Sequence, residues 1–218
     1  MAGATLPGGL TLQESSRIII FNRQLTTMQT RAVTNLSIYD NSWYNPGAGS
    51  VKRTFWYFVN VLFFINPLNP SSWLKVRLLR WFGAKVGKGV VVKPGVNIKY
   101  PWYLTIGDHT WIGERVWIDN LDRVTIGKHC CLSQGALLLC GNHHYGKVTF
   151  DLMVKPIVLE DGVWLGALSV VTGGVTCHSH SVLSIQSVAS QSLEEYFVYR
   201  GNPAVKIKER PLTGTAGI

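Results

Sequence analysis

An apolar residue recurs at every sixth position between residues 86 and 189, and this period constrains the fold more than any other feature of the sequence. Neither an α-helix, with about 3.6 residues per turn, nor a strand that alternates every second residue has such a period. A fixed short repeat is typical of stacked architectures, and a hexad predicts a parallel β-helix in which three hexads form one triangular coil. The residues expected to point inward are Val86, Val92, Ile98, Ile106, Ile112, Ile118, Ile126, Leu132, Leu138, Leu159, Leu165, Val171, Cys177, Leu183 and Ala189.

The spacing between coils locates a loop. The first inward positions of successive coils, Val86, Ile106 and Ile126, lie 20 residues apart rather than the 18 of three hexads, and the excess follows the third hexad each time. Insertions therefore stack at one corner of the triangle. The longest insertion, residues 139–158, is predicted to leave the coil there as a loop. Glycines that follow inward residues, such as Gly107 and Gly127, are expected at corners because glycine adopts dihedral angles that β-branched residues resist.

Five longer segments resemble one known family. They are SIYDNSWY (37–44), NPSSWLKVRLLRWFGAKVGKGV (69–90), KPGVNIKYPW (93–102), IGERVWIDNLDRVTIG (112–127) and YRGNPAVKIKER (199–210). Through them the chain resembles the hexapeptide-repeat O-acetyltransferases, and among these the WcaF-type acetyltransferases of colanic acid and exopolysaccharide synthesis. The resemblance implies an all-β, left-handed parallel β-helix, acetyl-CoA as co-substrate, and a homotrimer whose donor groove lies between protomers. The left hand follows from the resemblance alone, since crossover connections are usually right-handed.

The extruded loop carries the candidate general base. A sugar hydroxyl does not ionise by itself at neutral pH, and an imidazole is the usual proton acceptor there. In the family that the chain resembles, an Asn-His or Ser-His pair in this loop supplies the base, which assigns that role to His143 and substrate contact to Asn142. The alternative is an exposed loop histidine without a catalytic role. His144 is expected to contact substrate at most, and packing is favoured over catalysis for Cys140.

Two polar residues are predicted at the base of this loop. By the 20-residue period, Asp119 and Asn120 lie under residues 139 and 140. The resemblance implies a catalytic asparagine here, and the Asn120 amide could stabilise an oxyanion. The alternative for Asn120 is a corner residue that fills a turn or forms an internal ladder. Asp119 is predicted to contact substrate, or to orient His143 as carboxylates orient catalytic imidazoles.

The donor site is predicted in the coils after the loop. Trp164 matches a family tryptophan beside the active site and is assigned to substrate binding, because Leu165 takes the inward position. Two features depart from the family: residues 190–192 read Ser-Gln-Ser rather than Thr-Lys-Asp, and Val205 replaces an arginine. The residues that the resemblance assigns to coenzyme A, with two basic substitutes near the tail, are Gly166, Ala167, Ser184, Ile185, Arg200 and Lys206.

Composition and charge limit the other function classes. The net charge of +9 suits solubility, attraction to an anionic membrane or polyanion, or a basic cleft for the phosphates of coenzyme A. No basic stripe is interleaved with aromatics, so no nucleic-acid partner is expected. Four cysteines without CxxC spacing, and no secretory pattern, favour reduced thiols in the cytoplasm. His178 and His180 lack a third ligand, so no metal is expected.

Four segments are predicted: a variable N-terminal segment (1–35) with a candidate strand at 17–21, a helical extension (36–85), the β-helix (86–198) and a tail (199–218). The extension is expected to hold a helix near 54–65 and another after a Ser71/Ser72 cap. The first helix is apolar on nearly all faces but too short to span a membrane. It could pack on the β-helix or a neighbouring subunit, or cap the open end of the solenoid. It could also lie at a membrane surface, where the basic flanks would be Lys52, Arg53, Lys75, Arg77 and Arg80.

These features predict an acetyl-CoA-dependent O-acetyltransferase that acts on a sugar or a lipid-linked sugar precursor of a surface polysaccharide, in the cytoplasm or at the inner membrane face. The alternative is a catalytically inactive hexapeptide-repeat scaffold. A more remote third choice, a metal-dependent β-helix like a carbonic anhydrase, needs three histidines from adjacent coils. His109, His129 and His143 form no obvious set of this kind.

Overall fold

The computed structural model describes residues 31–214, which form a parallel β-helix preceded by a short helical segment. The candidate strand at residues 17–21 lies outside the described residues, as does most of the predicted N-terminal segment. After a 3-10 turn at Leu36–Ile38, helix α1 spans Ser50–Val59 and continues as one π-helical stretch, Asn60–Ile65. Helix α2 spans Ser72–Trp81, and the hydroxyl of Ser71 caps it by accepting a hydrogen bond from the Leu74 backbone N–H.

The solenoid has three parallel faces. The first face contains β1 (Lys85–Val86), β4 (Leu104–Ile106), β7 (Val124–Ile126), β12 (Ile157–Leu159) and β15 (Thr176–Cys177). The second face contains β2 (Val91–Val92), β5 (Trp111–Ile112), β8 (Cys131–Leu132), β13 (Trp164–Leu165), β16 (Val182–Leu183), β18 (Phe197–Arg200) and β19 (Val205–Glu209). The third face contains β3 (Asn97–Ile98), β6 (Trp117–Asp119), β9 (Leu137–Leu139), β14 (Val170–Thr172) and β17 (Val188–Ala189). A short 3-10 turn, Pro101–Tyr103, precedes β4.

The core is a set of three inward ladders. On the third face Ile98 pairs with Ile118, which pairs with Leu138, so that identical hexad positions stack on successive coils. All three side chains are completely buried. Adjacent strands lie about 4.8 Å apart, a separation at which stacked aliphatic side chains touch. The predicted period of three hexads per coil is therefore confirmed.

The glycines that follow inward residues are required for a reason other than the expected one. Gly107 has no left-handed backbone conformation; instead, a Cβ there would lie 2.5 Å from the carbonyl carbon of Gly127 in the next coil. The expectation that such glycines supply unusual dihedral angles is thus wrong, because close stacking of backbones excludes a side chain. The left-handed corner positions lie two residues later, and one corner carries His109 and His129 there, with φ of 57° and 54°.

The two helices cover the first coil. Trp56 and Phe64 are buried against it, and the Trp56 indole N–H donates to the Ile98 carbonyl at 2.8 Å. Helix α2 packs on β1 and β2. Its Lys75, expected as an exposed basic flank, is instead fully buried, and its ammonium donates to the Asn69 carbonyl at 2.8 Å. Burial lowers the pKa of Lys75.

The last coil is closed by a hairpin. Strand β18 pairs in parallel with β16, and β19 returns antiparallel to β18. The edge of the second face therefore ends in a pairing of opposite direction, which limits further parallel addition of strands.

We predict that Ile118→Ala lowers the free energy of unfolding by about 2–5 kcal/mol, because truncation of the buried isoleucine leaves a cavity that the neighbouring coils cannot fill. Denaturant unfolding measures the change. The matched variant Thr125→Ala, at an exposed position of β7, should change it by less than about 1 kcal/mol. Equal losses in both variants would contradict the inward ladder.

Candidate active site

The predicted loop leaves the solenoid as a hairpin. Strand β10 (Gly141–His143) pairs antiparallel with β11 (Leu152–Val154), and His143 lies opposite Leu152. The hairpin starts after β9 on the third face and returns to β12 on the first face. It therefore projects from the edge between these two faces, at the corner where the shorter insertions of earlier coils were predicted.

The imidazole of His143 is held in one orientation by the hairpin itself. Its Nδ1 lies 2.9 Å from the Phe150 carbonyl oxygen, and its ring stacks on the Phe150 ring with centroids 4.4 Å apart. The Tyr39 ring also packs on the imidazole, with ring centroids 5.7 Å apart. A carbonyl can only accept, so Nδ1 carries the proton and the lone pair of neutral His143 resides on Nε2. The geometry leaves Nε2 as a proton acceptor.

His143 lines a cleft of about 560 Å³ that is rich in polar groups. We name it the His143 cleft; its other lining residues are Tyr39, Asn41, Ser42, Tyr44, Pro46, Arg53, Lys99, Tyr100, Leu121 and Leu152. Sequence reasoning missed the contribution of residues 39–46, although the segment at 37–44 was one that carried the family resemblance. The phenol of Tyr44 donates to the Leu121 carbonyl at 2.6 Å, and burial raises the pKa of Tyr44.

Asn120 clamps the backbone of the preceding coil. Its side chain is fully buried; the carbonyl oxygen accepts from the Tyr100 N–H at 2.9 Å, and the amide nitrogen donates to the Tyr100 carbonyl at 2.6 Å. Because both polar atoms of the Asn120 side chain bond the Tyr100 backbone, the arrangement favours a structural role inside the solenoid over a direct contact with substrate. The predicted catalytic role of Asn120 stays a prediction.

Asp119 lies beside the loop base, as the period predicts, and pairs with Leu139 of the next coil. Its carboxylate oxygen Oδ1 lies 3.0 Å from the Lys99 ammonium. The orienting partner of His143 is the Phe150 carbonyl, not Asp119. Lys99 lines the His143 cleft, so the ion pair with Asp119 positions the Lys99 ammonium in the cleft wall.

The other residues near the loop have distinct surroundings. Asn142 is exposed, and its side-chain oxygen accepts from the His143 N–H at 2.7 Å. His144 is exposed towards the hairpin tip. Cys140 is buried, and burial raises the pKa of its thiol to about 12, so the thiolate is scarce at neutral pH. Packing is therefore the role that the structure supports for Cys140.

A second cleft, of about 610 Å³, runs along the second face and its corner. We name it the Trp164 cleft. It contains Trp164 together with four of the residues predicted to bind coenzyme A: Gly166, Ala167, Ser184 and Ile185. The Trp164 indole N–H donates to the Ser133 hydroxyl at 3.0 Å, which fixes the ring as a wall. Trp164 thus lies with the predicted donor residues rather than in the His143 cleft.

Basic residues of the tail reach this cleft, but not the ones predicted. Lys208 and Arg210 line it, whereas Arg200 and Lys206 lie outside it. The Lys206 ammonium instead pairs with the Glu194 carboxylate and lies 4.0 Å above the Phe197 ring. Sequence reasoning missed Lys208 and Arg210 because the antiparallel return of β19 was not foreseen.

The two clefts are separate on one chain. They share no lining residue: the Trp164 cleft follows the second face, and the hairpin of His143 projects from the edge where the other two faces meet. A triangular solenoid places that edge opposite the second face.

The remaining histidines are dispersed. His178 lies 3.0 Å from the Glu160 carboxylate, and His109 stacks on His129 with centroids 5.4 Å apart. Among residues 31–214, no group of three His, Cys, Asp or Glu side chains is placed to hold a metal ion.

The chain is similar to several acetyltransferases. It is 39% identical over 165 residues to the Escherichia coli K12 protein that is named WcaF, for colanic acid biosynthesis acetyltransferase; the match covers 75% of this chain and 90% of that protein. It is 26% identical over 153 residues to the galactoside O-acetyltransferase of E. coli K12, covering 68% of this chain and 75% of the enzyme. No protein-family model matches this chain.

Among solved structures, the chain is similar to a hexapeptide-repeat acetyltransferase of Vibrio cholerae in complex with acetyl coenzyme A. The TM-score is 0.67 at 26% identity, and the match covers 76% of this chain and 92% of the other. The predicted all-β, left-handed β-helix is confirmed by this likeness together with the three parallel faces.

We predict that Asn120→Ala destabilises the fold, because the Tyr100 N–H loses its acceptor and the Tyr100 carbonyl keeps only the Tyr103 N–H as a donor. A buried polar group left unsatisfied costs about 1–3 kcal/mol. Denaturant unfolding measures the loss, and the exposed Asn142→Ala serves as the matched control. Unchanged stability of Asn120→Ala would show that the clamp is unimportant and would return Asn120 to a role on substrate.

Proposed function

Since this chain belongs to the hexapeptide-repeat acetyltransferases, we propose that it transfers the acetyl group of acetyl-CoA to a hydroxyl of a sugar that is used in surface polysaccharide synthesis. Two findings support this assignment. The 39% identical relative is named for colanic acid biosynthesis, and a structural neighbour was solved with acetyl coenzyme A. The observation that carries the proposal is the orientation of His143, whose Nε2 is unprotonated in the neutral ring.

His143 acts as general base in this proposal. Nε2 takes the proton of the acceptor hydroxyl as its oxygen attacks the thioester carbonyl; a C–O bond forms, the C–S bond breaks, and the imidazolium returns the proton to the departing sulfur. The Phe150 carbonyl, which accepts from Nδ1–H, stabilises the positive charge that the ring gains. Backbone N–H groups of the coils stabilise the oxyanion.

The His143 cleft is the proposed acceptor site. Asn41 and Ser42 bring an amide and a hydroxyl to its wall, and Arg53 and Lys99 add donors, a set suited to a molecule rich in hydroxyl groups. Asn142 and Asp119 are proposed to help position the acceptor. Asn142 lies next to the base, and Asp119 acts through its ion pair with Lys99.

The Trp164 cleft is the proposed donor site. The Trp164 ring and the close-packed Gly166 form a smooth wall, since a Cβ at Gly166 would lie 2.5 Å from the Ile185 nitrogen. Lys208 and Arg210 supply positive charge for phosphate groups, beside the carboxylate of Glu209 in the same wall. One guanidinium nitrogen of Arg210 already donates to the carbonyls of Gly162 and His180. The predicted contributions of Arg200 and Lys206 remain proposals, and Lys206 would first have to leave Glu194.

We propose a homotrimer, which the separation of the two clefts supports. On one chain the base and the donor groove lie on opposite sides of a triangular prism, so transfer requires His143 of one protomer to face the Trp164 cleft of another. Three chains around an axis satisfy this requirement at every interface. The need for acetyl-CoA supports a cytoplasmic location, in which the protein can also contact the inner membrane face.

We predict that His143→Ala lowers acetyl transfer by about 100- to 10,000-fold, because the attacking hydroxyl loses its proton acceptor. Transfer from labelled acetyl-CoA to a panel of sugars measures the effect. His144→Ala, one residue away and exposed, should keep most of the activity, and circular dichroism should show both variants folded.

Full activity of His143→Ala would rule out this residue as the base. Failure of the unmodified protein to transfer acetyl to any acceptor, with no binding of acetyl-CoA, would support the scaffold alternative instead.

Co-expression of two inactive chains tests the shared site. We predict that His143→Ala and the groove-filling Ala167→Trp are each inactive alone, and that mixed trimers regain part of the activity. In a mixed trimer, some interfaces combine His143 of the Ala167→Trp chain with the open donor groove of the His143→Ala chain, and these interfaces contain a complete active site. Two affinity tags isolate the mixed trimers, and no recovery in them would contradict a site built from two protomers.

A further inference from the structure

The whole charge imbalance of the protein lies at one end of the solenoid. Residues 41–107 contain nine lysines and arginines and no aspartate or glutamate, while the rest of the chain carries twelve of each sign. The net charge of +9 therefore belongs to the two helices and the first coil. We name this end the basic pole, defined as residues 41–107.

Nearly all of these bases face solvent. Lys75 is the buried one among them, since its ammonium is turned into the fold. The exposed bases of the pole are Lys52, Arg53, Arg77, Arg80, Lys85, Lys88, Lys93 and Lys99. Lys99 pairs with Asp119 of the next coil, and the other seven bases, with no carboxylate in the same segment, give the surface an unbalanced positive potential.

The pole also exposes large apolar side chains. Helix α1 buries Trp56 and Val59, yet its outer side leaves Phe55 63%, Phe58 55% and the following Leu62 57% exposed. The helix thus has an apolar face on the core and another towards solvent. A contiguous exposed apolar surface of this kind marks an interaction site in soluble proteins.

Tryptophan and arginine alternate on the outer face of α2. Trp73 and Trp81 are 67% and 70% exposed, and the Arg77 guanidinium lies between them, 4.7 Å and 5.4 Å from their ring centroids. Residues at i, i+4 and i+8 form one stripe of a helix. Amphipathic aromatic rings next to cationic groups suit the boundary between lipid head groups and acyl chains.

We propose that the basic pole lies on the surface of an anionic lipid bilayer. The bases attract acidic head groups, and the exposed rings of the two helices enter the boundary region. Within residues 31–214 the structure has no helix with the length and apolarity of a transmembrane span. The proposed contact is with the bilayer surface. A second copy that used the same pole would place two surfaces with an excess of positive charge against each other, and like charges oppose such a contact.

The position of the His143 cleft gives this contact a function. Arg53, Lys99 and Tyr100 line the His143 cleft and also a neighbouring cleft of about 350 Å³ that is walled by Tyr57 and Ile65 of the helical segment. The acceptor site therefore continues into the pole. Docking would bring it to an acceptor sugar that is carried on a lipid through a phosphate linkage, a step that rests on the proposed function.

Sedimentation with phosphatidylcholine vesicles, with and without phosphatidylglycerol, tests the proposal on the full chain. We expect binding to the anionic vesicles alone, weakened by salt. The double variant Trp73→Ala with Trp81→Ala should bind at least about tenfold more weakly, since it removes two interfacial anchors. The matched pair Trp111→Ala with Tyr196→Ala removes two exposed aromatic side chains that lie outside both helices and outside the cleft of about 350 Å³, and it should bind as the unmodified protein does.

A second comparison separates the pole from net charge. Lys52→Gln with Arg77→Gln and the pair Arg123→Gln with Lys128→Gln each remove two exposed bases, but only the first pair lies in the pole. Binding should fall at least about tenfold in the first pair and stay within twofold in the second. Equal losses would show non-specific attraction and overturn the proposal.

Two further outcomes are decisive. Vesicle binding needs no chemistry, so His143→Ala should bind fully, and loss of transfer without loss of binding would leave the docking proposal standing on its own. Sedimentation velocity identifies the competing occupant. If the pair Trp73→Ala with Trp81→Ala dissociates the oligomer, and the unmodified protein ignores anionic vesicles, the pole is an interface between copies and the membrane proposal fails.

Discussion

The stacking of inward side chains at the strand separation is the interaction on which the rest of the structure depends. Because Ile98, Ile118 and Leu138 must stay in register, each coil can gain residues only where the chain turns a corner. The same requirement removes the side chain at Gly107, where two backbones meet. The hairpin of His143 is the largest such gain, and its place on the solenoid is therefore fixed by packing before any chemistry is considered.

Much of this could be predicted from the sequence, since the ladder is a periodic signal. The hexads predicted the coils, and the long interval between Leu138 and Leu159 predicted where a loop leaves them. The family resemblance identified His143 as the candidate base. What could not be predicted depends on main-chain groups or on distant pairs. The partner of His143 is the Phe150 carbonyl, which every residue type possesses and which therefore leaves no trace in a sequence. Likewise, Asn120 could be either a donor to substrate or a clamp until the position of Tyr100 was known.

The partners of charged side chains were likewise not predictable from the sequence pattern. Lys75 and its neighbour Arg77 look equivalent in the sequence, yet one is buried under Asn69 and the other lies between two exposed tryptophans. Lys206 and Lys208 are two residues apart, but the first pairs with Glu194 while the second lines the Trp164 cleft. Hydrophobic periodicity determines where a coil packs, whereas the partner of a long flexible side chain is set by tertiary contacts.

The contact between His143 and the Phe150 carbonyl has a consequence for how such a protein can change. The oxygen that fixes the imidazole belongs to the main chain, so any substitution at position 150 that keeps the local turn keeps the tautomer, although it forfeits the ring stacking. The side chains of the hairpin tip are then free to be exchanged for ones that suit another acceptor. Selectivity could drift, or be redesigned, while the proton-transfer apparatus is inherited intact.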